Sequence, residues 1–186
     1  MPKYVSDGGF PFISSENFAD DDTIDFAIGK RVERTTVTEQ TNRFGILEGA
    51  FGFSRIGTIG KTRPLPPYRD YGISHAVCVI NPLSHTDLSM RYLRLAMGVD
   101  DILAHARGGT RSIGVPDLGM GVIRTMAIPL PPLAEQHRIV AKVDELMAVC
   151  DQLEAQLTTT QTDSRRLLEA VLHEALDPSI DQERAA

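Results

Sequence analysis

The chain has no tryptophan, two cysteines among 186 residues and only 6% aromatic side chains. Cys78 lies in an apolar run and Cys150 in a helical pattern, so both read as small buried hydrophobes rather than as a disulfide framework or metal ligands. The five histidines show no ligand spacing: His75 and His85 are ten residues apart, which argues against zinc. No run approaches the ~20 apolar residues of a membrane span, and the opening MPKYVSDGGF lacks the apolar stretch of a signal peptide. These absences place the expected chain in the cytoplasm, without a membrane partner. A catalytic set is missing too. His75 and His105 among scattered aspartates form no acid/base or nucleophile group, and LPPY at 65–68 carries Leu65 where an amino-methylation motif N-P-P-Y needs asparagine. The chain therefore reads as a non-enzyme that needs no cofactor.

One stretch tempts toward nucleotide chemistry. IGTIGKT resembles a phosphate-binding loop, but G-x-x-x-x-G-K-[ST] needs six residues to wrap backbone N–H groups around the phosphates. Ending that motif at Gly60, Lys61 and Thr62 puts Arg55 where its first glycine belongs. Gly57 is too close to Gly60 to replace it. A strand end or hairpin with glycines at tight positions is the reading that remains.

What is present is an uneven charge distribution. The net charge of −6 resides in residues 133–186, with 11 acidic and 5 basic side chains, while residues 30–132 hold 13 basic against 8 acidic groups. A locally basic module within an acidic chain points to an anionic partner, although a mixed solvated surface gives the same count.

The organisation changes at IPLPPLAEQ, residues 128–136. Upstream, FPFIS, FGFSRIG, ISHAVCVI and VIRTMAI each read as a short strand between turn residues. SHTDLSMRYLRLAMG reads as a helix capped by Ser84 or Thr86 and ended by Gly98, with DDILAHA as a shorter helix and PDL at 116–118 as one further helical turn. Downstream, Leu133 to Asp177 contains no glycine or proline and is bracketed by Pro132 and Pro178, so it should be one long helix. Ile139, Val143, Leu146, Cys150, Leu153, Leu157, Thr160, Ser164, Leu167 and Val171 follow in steps of three and four, and all but Thr160 and Ser164 are apolar. Val140, Met147 and Leu168 widen the stripe. Such a seam favours pairing with another helix. At 1.5 Å per residue the helix extends roughly 65 Å, more than the upstream module can cover. The expected fold class is α+β, with short strands and helices in residues 1–132, a long pairing helix in 133–177 and a tail in 178–186.

The stretch AIPLPPLAEQHRIVAKVDELMAVCDQLEAQL resembles the helical region of specificity subunits from type I restriction-modification systems. PFISSENF, RIGTIGKT and GVPDL are similar to segments of one target-recognition domain of that family. The resemblance implies a DNA-recognition subunit of half length, with one recognition domain and one helical region. MPKYVSDGG is shorter than the opening strand and turn expected there, which implies an N-terminally shortened domain. It further implies double-stranded DNA as ligand, methyltransferase subunits as partners and restriction subunits through them. In the family two such helices pack antiparallel within one subunit. Here the second helix is expected from another copy, giving a homodimer that reads an interrupted palindrome.

Under that reading, arginine suits both phosphate oxygens and the O6/N7 edge of guanine. Arg43, Arg55, Lys61, Arg63, Arg107 and Arg111 stand beside glycines or in loop-like segments, and Ser74, His75 and Thr110 supply polar contacts. The pairing set is Ile139, Val143, Leu146, Cys150, Leu153, Leu157, Leu167 and Val171. Two rivals stay open at this point: a coiled-coil assembly factor that never touches DNA, and an inactive fragment of a specificity subunit.

Overall fold

A computed structural model describes residues 1–67, 70–83, 87–107 and 116–176, and within these all side chains except those of 105–107 and 174–176. In chain order the elements are β1 (Tyr4–Val5), β2 (Phe10–Ile13), β3 (Arg31–Val32), α1 (Arg34–Arg43), β4 (Phe51–Ser54), β5 (Thr62–Pro64), β6 (Gly72–Ile73), β7 (Val77–Ile80), α2 (Met90–Met97), α3 (Asp100–Arg107), α4 (Met120–Arg124) and α5 (Leu133–Leu176). The fold is α+β. Two small sheets carry it, one ordered β1-β3-β2-β6 and one ordered β5-β4-β7. Among the described residues only β2 and β6 pair in parallel. The chain divides into two compact units, Met1–Val140 and Ala141–Ala186, with the division inside α5.

Strand β4 organises the first unit because both of its faces are buried. Phe51 and Phe53 point to a core shared with Ile59, Cys78, Met97, Leu103, Leu118 and Ile123, drawn from the hairpin loop, β7, the 116–118 segment and the three short helices. Gly52 points the other way. A Cβ there would meet Phe18 Cζ at 2.9 Å and Val77 Cγ1 at 3.0 Å, so glycine lets the second core close against the strand. That second core gathers Ile13, Phe18, Ile46, Ala50, Leu65, Tyr71, Ile73 and Val77. Burial of each large side chain contributes about 1.5–3 kcal/mol.

Buried polar side chains tie irregular segments together. Asn17, within SSENF, donates through Nδ2 to the carbonyls of Asp25 and Ile28 and accepts from the Ser14 N–H, closing the loop after β2. Gln136, fully buried at 0% exposure, accepts from the Ser89 N–H at 2.8 Å and donates to the carbonyls of Asp87 and Pro131. It thereby ties the first turn of α5 to the start of α2. Ser89 caps α2, accepting from the Tyr92 N–H. Ser84 and Thr86, the expected caps, lie outside the described residues.

Four expectations need correction. VIRTMAI is a helix followed by an irregular exit, since Val122, Ile123 and Met126 reach the core at helical spacing and the Val122 and Thr125 amides bond to carbonyls three residues back. Residues 116–118 form no helical turn; Asp117 bridges Ile56 in strand fashion. ISHAVCVI is two strands broken by a turn, because the Val77 N–H bonds to the Ser74 carbonyl. Cys150 is exposed, whereas Cys78 is buried as expected.

Past Val140, α5 carries a large apolar content on its surface. Leu146, Met147, Leu153, Leu157, Leu167 and Val171 are all exposed. Lys142 and Glu145 pair at i,i+3, and Thr159, Thr160 and Thr162 donate their hydroxyls to carbonyls one turn back. Among the described residues no helix is long and apolar enough to cross a membrane.

Candidate nucleic-acid interface

The IGTIGKT segment is the loop of the β4–β5 hairpin. Its strands pair Phe51–Pro64, Gly52–Arg63 and Phe53–Thr62. The Gly60 N–H donates to the Ser54 carbonyl, the Lys61 N–H to Ser54 Oγ, and the Gly57 N–H to the Pro116 carbonyl. Amides spent in this way cannot cradle a phosphate. Gly60 has φ of +100°, and a Cβ there would lie 2.4 Å from Leu103 Cδ1, so its glycine serves the turn and the packing of α3.

The three basic residues of the hairpin differ from one another. Arg55 is 15% exposed and its guanidinium donates from Nε to the Leu118 carbonyl at 2.9 Å, from NH1 to the His75 carbonyl at 2.8 Å and from NH2 to Asp117 Oδ1 at 2.7 Å. Arg63 is equally enclosed, donating to the carbonyls of Ala19 and Thr62 and lying 3.7 Å from Asp22. Lys61 is more open and reaches Asp20 at 3.2 Å. Asp22 also accepts from Arg94 NH1 through both carboxylate oxygens, at 2.6 and 2.7 Å. The loop of residues 20–23 thus neutralises much of the hairpin's charge. Within it, the Thr23 hydroxyl and N–H hold the Asp21 carboxyl below its ordinary range.

The site residues that do converge lie around a cleft of about 560 Å³. Arg43, Arg55, Ser74 and His75 line it, with Phe44 and Met120 among its apolar walls. Each is placed by a local device. Arg43 ends α1, where a cation is favoured by the helix dipole, and among the described residues it makes no ion pair. Gln40, one turn earlier, accepts from the Ile73 N–H and donates to the Ile73 carbonyl, both at 2.8 Å, so α1 grips the backbone beside Ser74. Ser74 Oγ accepts from the Ala76 N–H, which shapes the turn that exposes His75. Asn81 anchors the far side by donating to the Gly45 carbonyl and accepting from the Leu47 N–H. Burial raises the pKa of Cys78 on the wall, opposed by the nearby Arg55 and Arg124 charges, so the thiol stays neutral.

Lys61 and Arg63 do not line this cleft. Arg107 is the last residue of α3, and Thr110 and Arg111 lie outside the described residues. Gln40, Asn81 and Arg124 went unnoticed in the sequence. The first two act on backbone partners more than thirty residues away, which no local pattern announces, and Arg124 was concealed by the strand reading of its segment.

The cleft holds a cation, a hydroxyl, an imidazole and aromatic surface, which suits an anionic, hydrogen-bonding ligand with stacking groups. The family model of the type I restriction modification DNA specificity domain matches residues 3–160. The chain is 41% identical over 58 residues to the type I restriction enzyme EcoAI specificity subunit of Escherichia coli, covering 31% of this chain and 10% of that protein. It is 32% identical over 108 residues to the Escherichia coli EcoEI specificity subunit, covering 58% of this chain and 18% of that one. Among solved structures, the HsdS subunit from Thermoanaerobacter tengcongensis superposes with a TM-score of 0.57 at 26% identity, over 70% of this chain and 34% of that chain. The chain thus spans less than a fifth of these curated relatives and about a third of the solved chain.

Proposed function

The chain belongs to the type I restriction modification DNA specificity domain family, and from that membership we propose that its first unit reads double-stranded DNA on behalf of methyltransferase subunits and, through them, restriction subunits. The observation that carries this reading is the convergence of Arg43, Ser74 and His75 on one cleft inside the basic part of the chain. Phosphate contacts supply affinity and base-edge contacts supply choice. Arg43, exposed and without an ion pair among the described residues, is the phosphate or guanine contact of this cleft, and Ser74 and His75 are its polar readers. Lys61, Arg107, Thr110 and Arg111 are proposed as further phosphate contacts. Residues 1–132 act as the recognition domain and 133–177 as the pairing helix. The test is co-purification with the cognate methyltransferase subunit, followed by DNA binding at several salt concentrations. Wild-type complex should show a steep salt slope, and failure to bind any duplex above background retires the reading.

The exposed seam of α5 supports a second part of the proposal. Leu146, Leu153, Leu157, Leu167 and Val171 lie open to solvent at spacings of four, seven and ten, too regular for chance surface residues. A second copy of the chain, running antiparallel, covers them and Ile139, Val143 and Cys150. Such a pair is two-fold symmetric and uses one patch on both copies. A helix of 44 residues extends roughly 65 Å, a scale of one to two DNA turns of about 34–36 Å. The target is then an interrupted palindrome. Light scattering at micromolar concentration checks it: a dimer is expected, and a monomer would rule out self-pairing.

A further inference from the structure

We infer that Arg55 is a positioning residue that fixes the reading edge of the cleft, so that it governs discrimination between DNA sequences rather than affinity for DNA. This rests on the DNA-recognition reading above. Three of its five guanidinium N–H groups point at acceptors on two other segments: the carbonyls of His75 and Leu118 and the carboxylate of Asp117. Its backbone joins the same two segments. The Arg55 N–H donates to the Ala76 carbonyl at 2.8 Å, and its carbonyl accepts from the Leu118 N–H at 2.8 Å. One residue therefore fastens the Ser74–Ala76 turn and the 116–118 segment to the end of β4. The first presents His75 at the cleft. The second follows directly on the stretch that carries Thr110 and Arg111.

A side chain that approaches DNA through its fork needs two parallel N–H groups free for an oxygen pair. At Arg55 the NH1 and NH2 arms diverge, one to a carbonyl of the turn and one to Asp117, and the group is 15% exposed. A lysine cannot reproduce that planar, divergent set of bonds. Base-edge hydrogen bonds demand placement within about 0.5 Å. Phosphate contacts tolerate more, because much of their free energy comes from counterion release. Loosening the clamp therefore erodes sequence choice first.

Asp117 separates this role from direct contact, because its own side chain is 47% exposed while the Arg55 guanidinium is 15% exposed, so neutralising the carboxylate leaves that enclosed cation held by the His75 and Leu118 carbonyls. If Arg55 positions, Asp117→Asn and Arg55→Lys act alike. If Arg55 touched DNA itself, Asp117→Asn would weaken its hold on Arg55 and remove a negative charge, and binding would tighten. The experiment uses the full chain in its methyltransferase complex, with fluorescence anisotropy on a duplex bearing the mapped target and on a scrambled duplex, across a salt series. Amide exchange of residues 74–77 and of Asp117 and Leu118 is followed without DNA. Each variant should lower the target-to-scrambled affinity ratio by about tenfold or more, keep the scrambled-duplex affinity and salt slope of wild type, and exchange faster in both segments. The double variant should be no worse than either single one. Unchanged discrimination, a salt slope reduced by about one, tighter binding by Asp117→Asn, or unchanged exchange would each overturn the clamp. Wild-type complex that cannot tell the two duplexes apart would instead end the recognition reading itself, with no substitution involved.

Discussion

Strand β4 and the distal half of α5 are comparably regular in sequence and opposite in surroundings. Phe53 is 0% exposed between a sheet and three short helices, while Leu153, at an equally regular apolar position, is 58% exposed. Periodicity identifies which side of an element is apolar. It does not identify what covers that side. In the first unit the cover is local, supplied by elements within about seventy residues; on α5 past Val140 the described residues supply none for Leu146 to Val171.

The contrast is broken most severely at Phe53. Phe53→Ala should destabilise the first unit by about 3–5 kcal/mol, seen in denaturant unfolding, whereas Leu153→Ala should leave the stability of a dissociated chain within ~0.5 kcal/mol. The second effect appears on association. Leu146→Glu with Leu153→Glu should abolish the dimer, as an unpaired charge buried at a packed seam costs about 3–5 kcal/mol, with the helical content of α5 and the melting of the first unit retained. Smaller is the loss at the junction of α2 and α5. Gln136→Ala removes the partner of three partly buried backbone groups and should cost about 1–3 kcal/mol, while Gln136→Glu, which keeps the acceptor for Ser89, should cost less only if its carboxyl becomes protonated. Thermal melts across pH would show that difference. The smallest effect is expected at Arg43: Arg43→Ala should weaken DNA binding at low salt and reduce the salt slope by about one, without changing the melting temperature.

How much of this was legible in the sequence depended on how far apart the determining residues lie. Helices α2 and α5 could be read because apolar face and bounding residue fall within a few turns, as with Gly98 after α2 and Pro132 before α5, although the cap of α2 is Ser89 and not Ser84 or Thr86. Helix α1 could not. Its sequence RTTVTEQTNR is polar and rich in β-branched residues, and it is held by distant partners: Thr36 Oγ1 accepts from the Lys3 N–H and Gln40 grips Ile73. VIRTMAI misled because β-branched composition suggested a strand while the spacing of Val122 and Met126 served a helical packing. At the cleft, the basic residue types beside glycines could be recognised, but not their allocation. Arg43 is open, while Arg55 and Arg63 are occupied by carbonyls and carboxylates that lie one to more than sixty residues away. Charge counts are additive along a chain; the satisfaction of a guanidinium is a property of the fold.

The most direct test of recognition by one unit and pairing by the other is a map of methylated sites in DNA exposed to the methyltransferase complex built with this chain alone as its specificity component. The account predicts an interrupted palindrome, two identical inverted half-sites separated by a fixed spacer, that disappears with Leu146→Glu and Leu153→Glu. Two unrelated half-sites, or a pattern that ignores those substitutions, would contradict it.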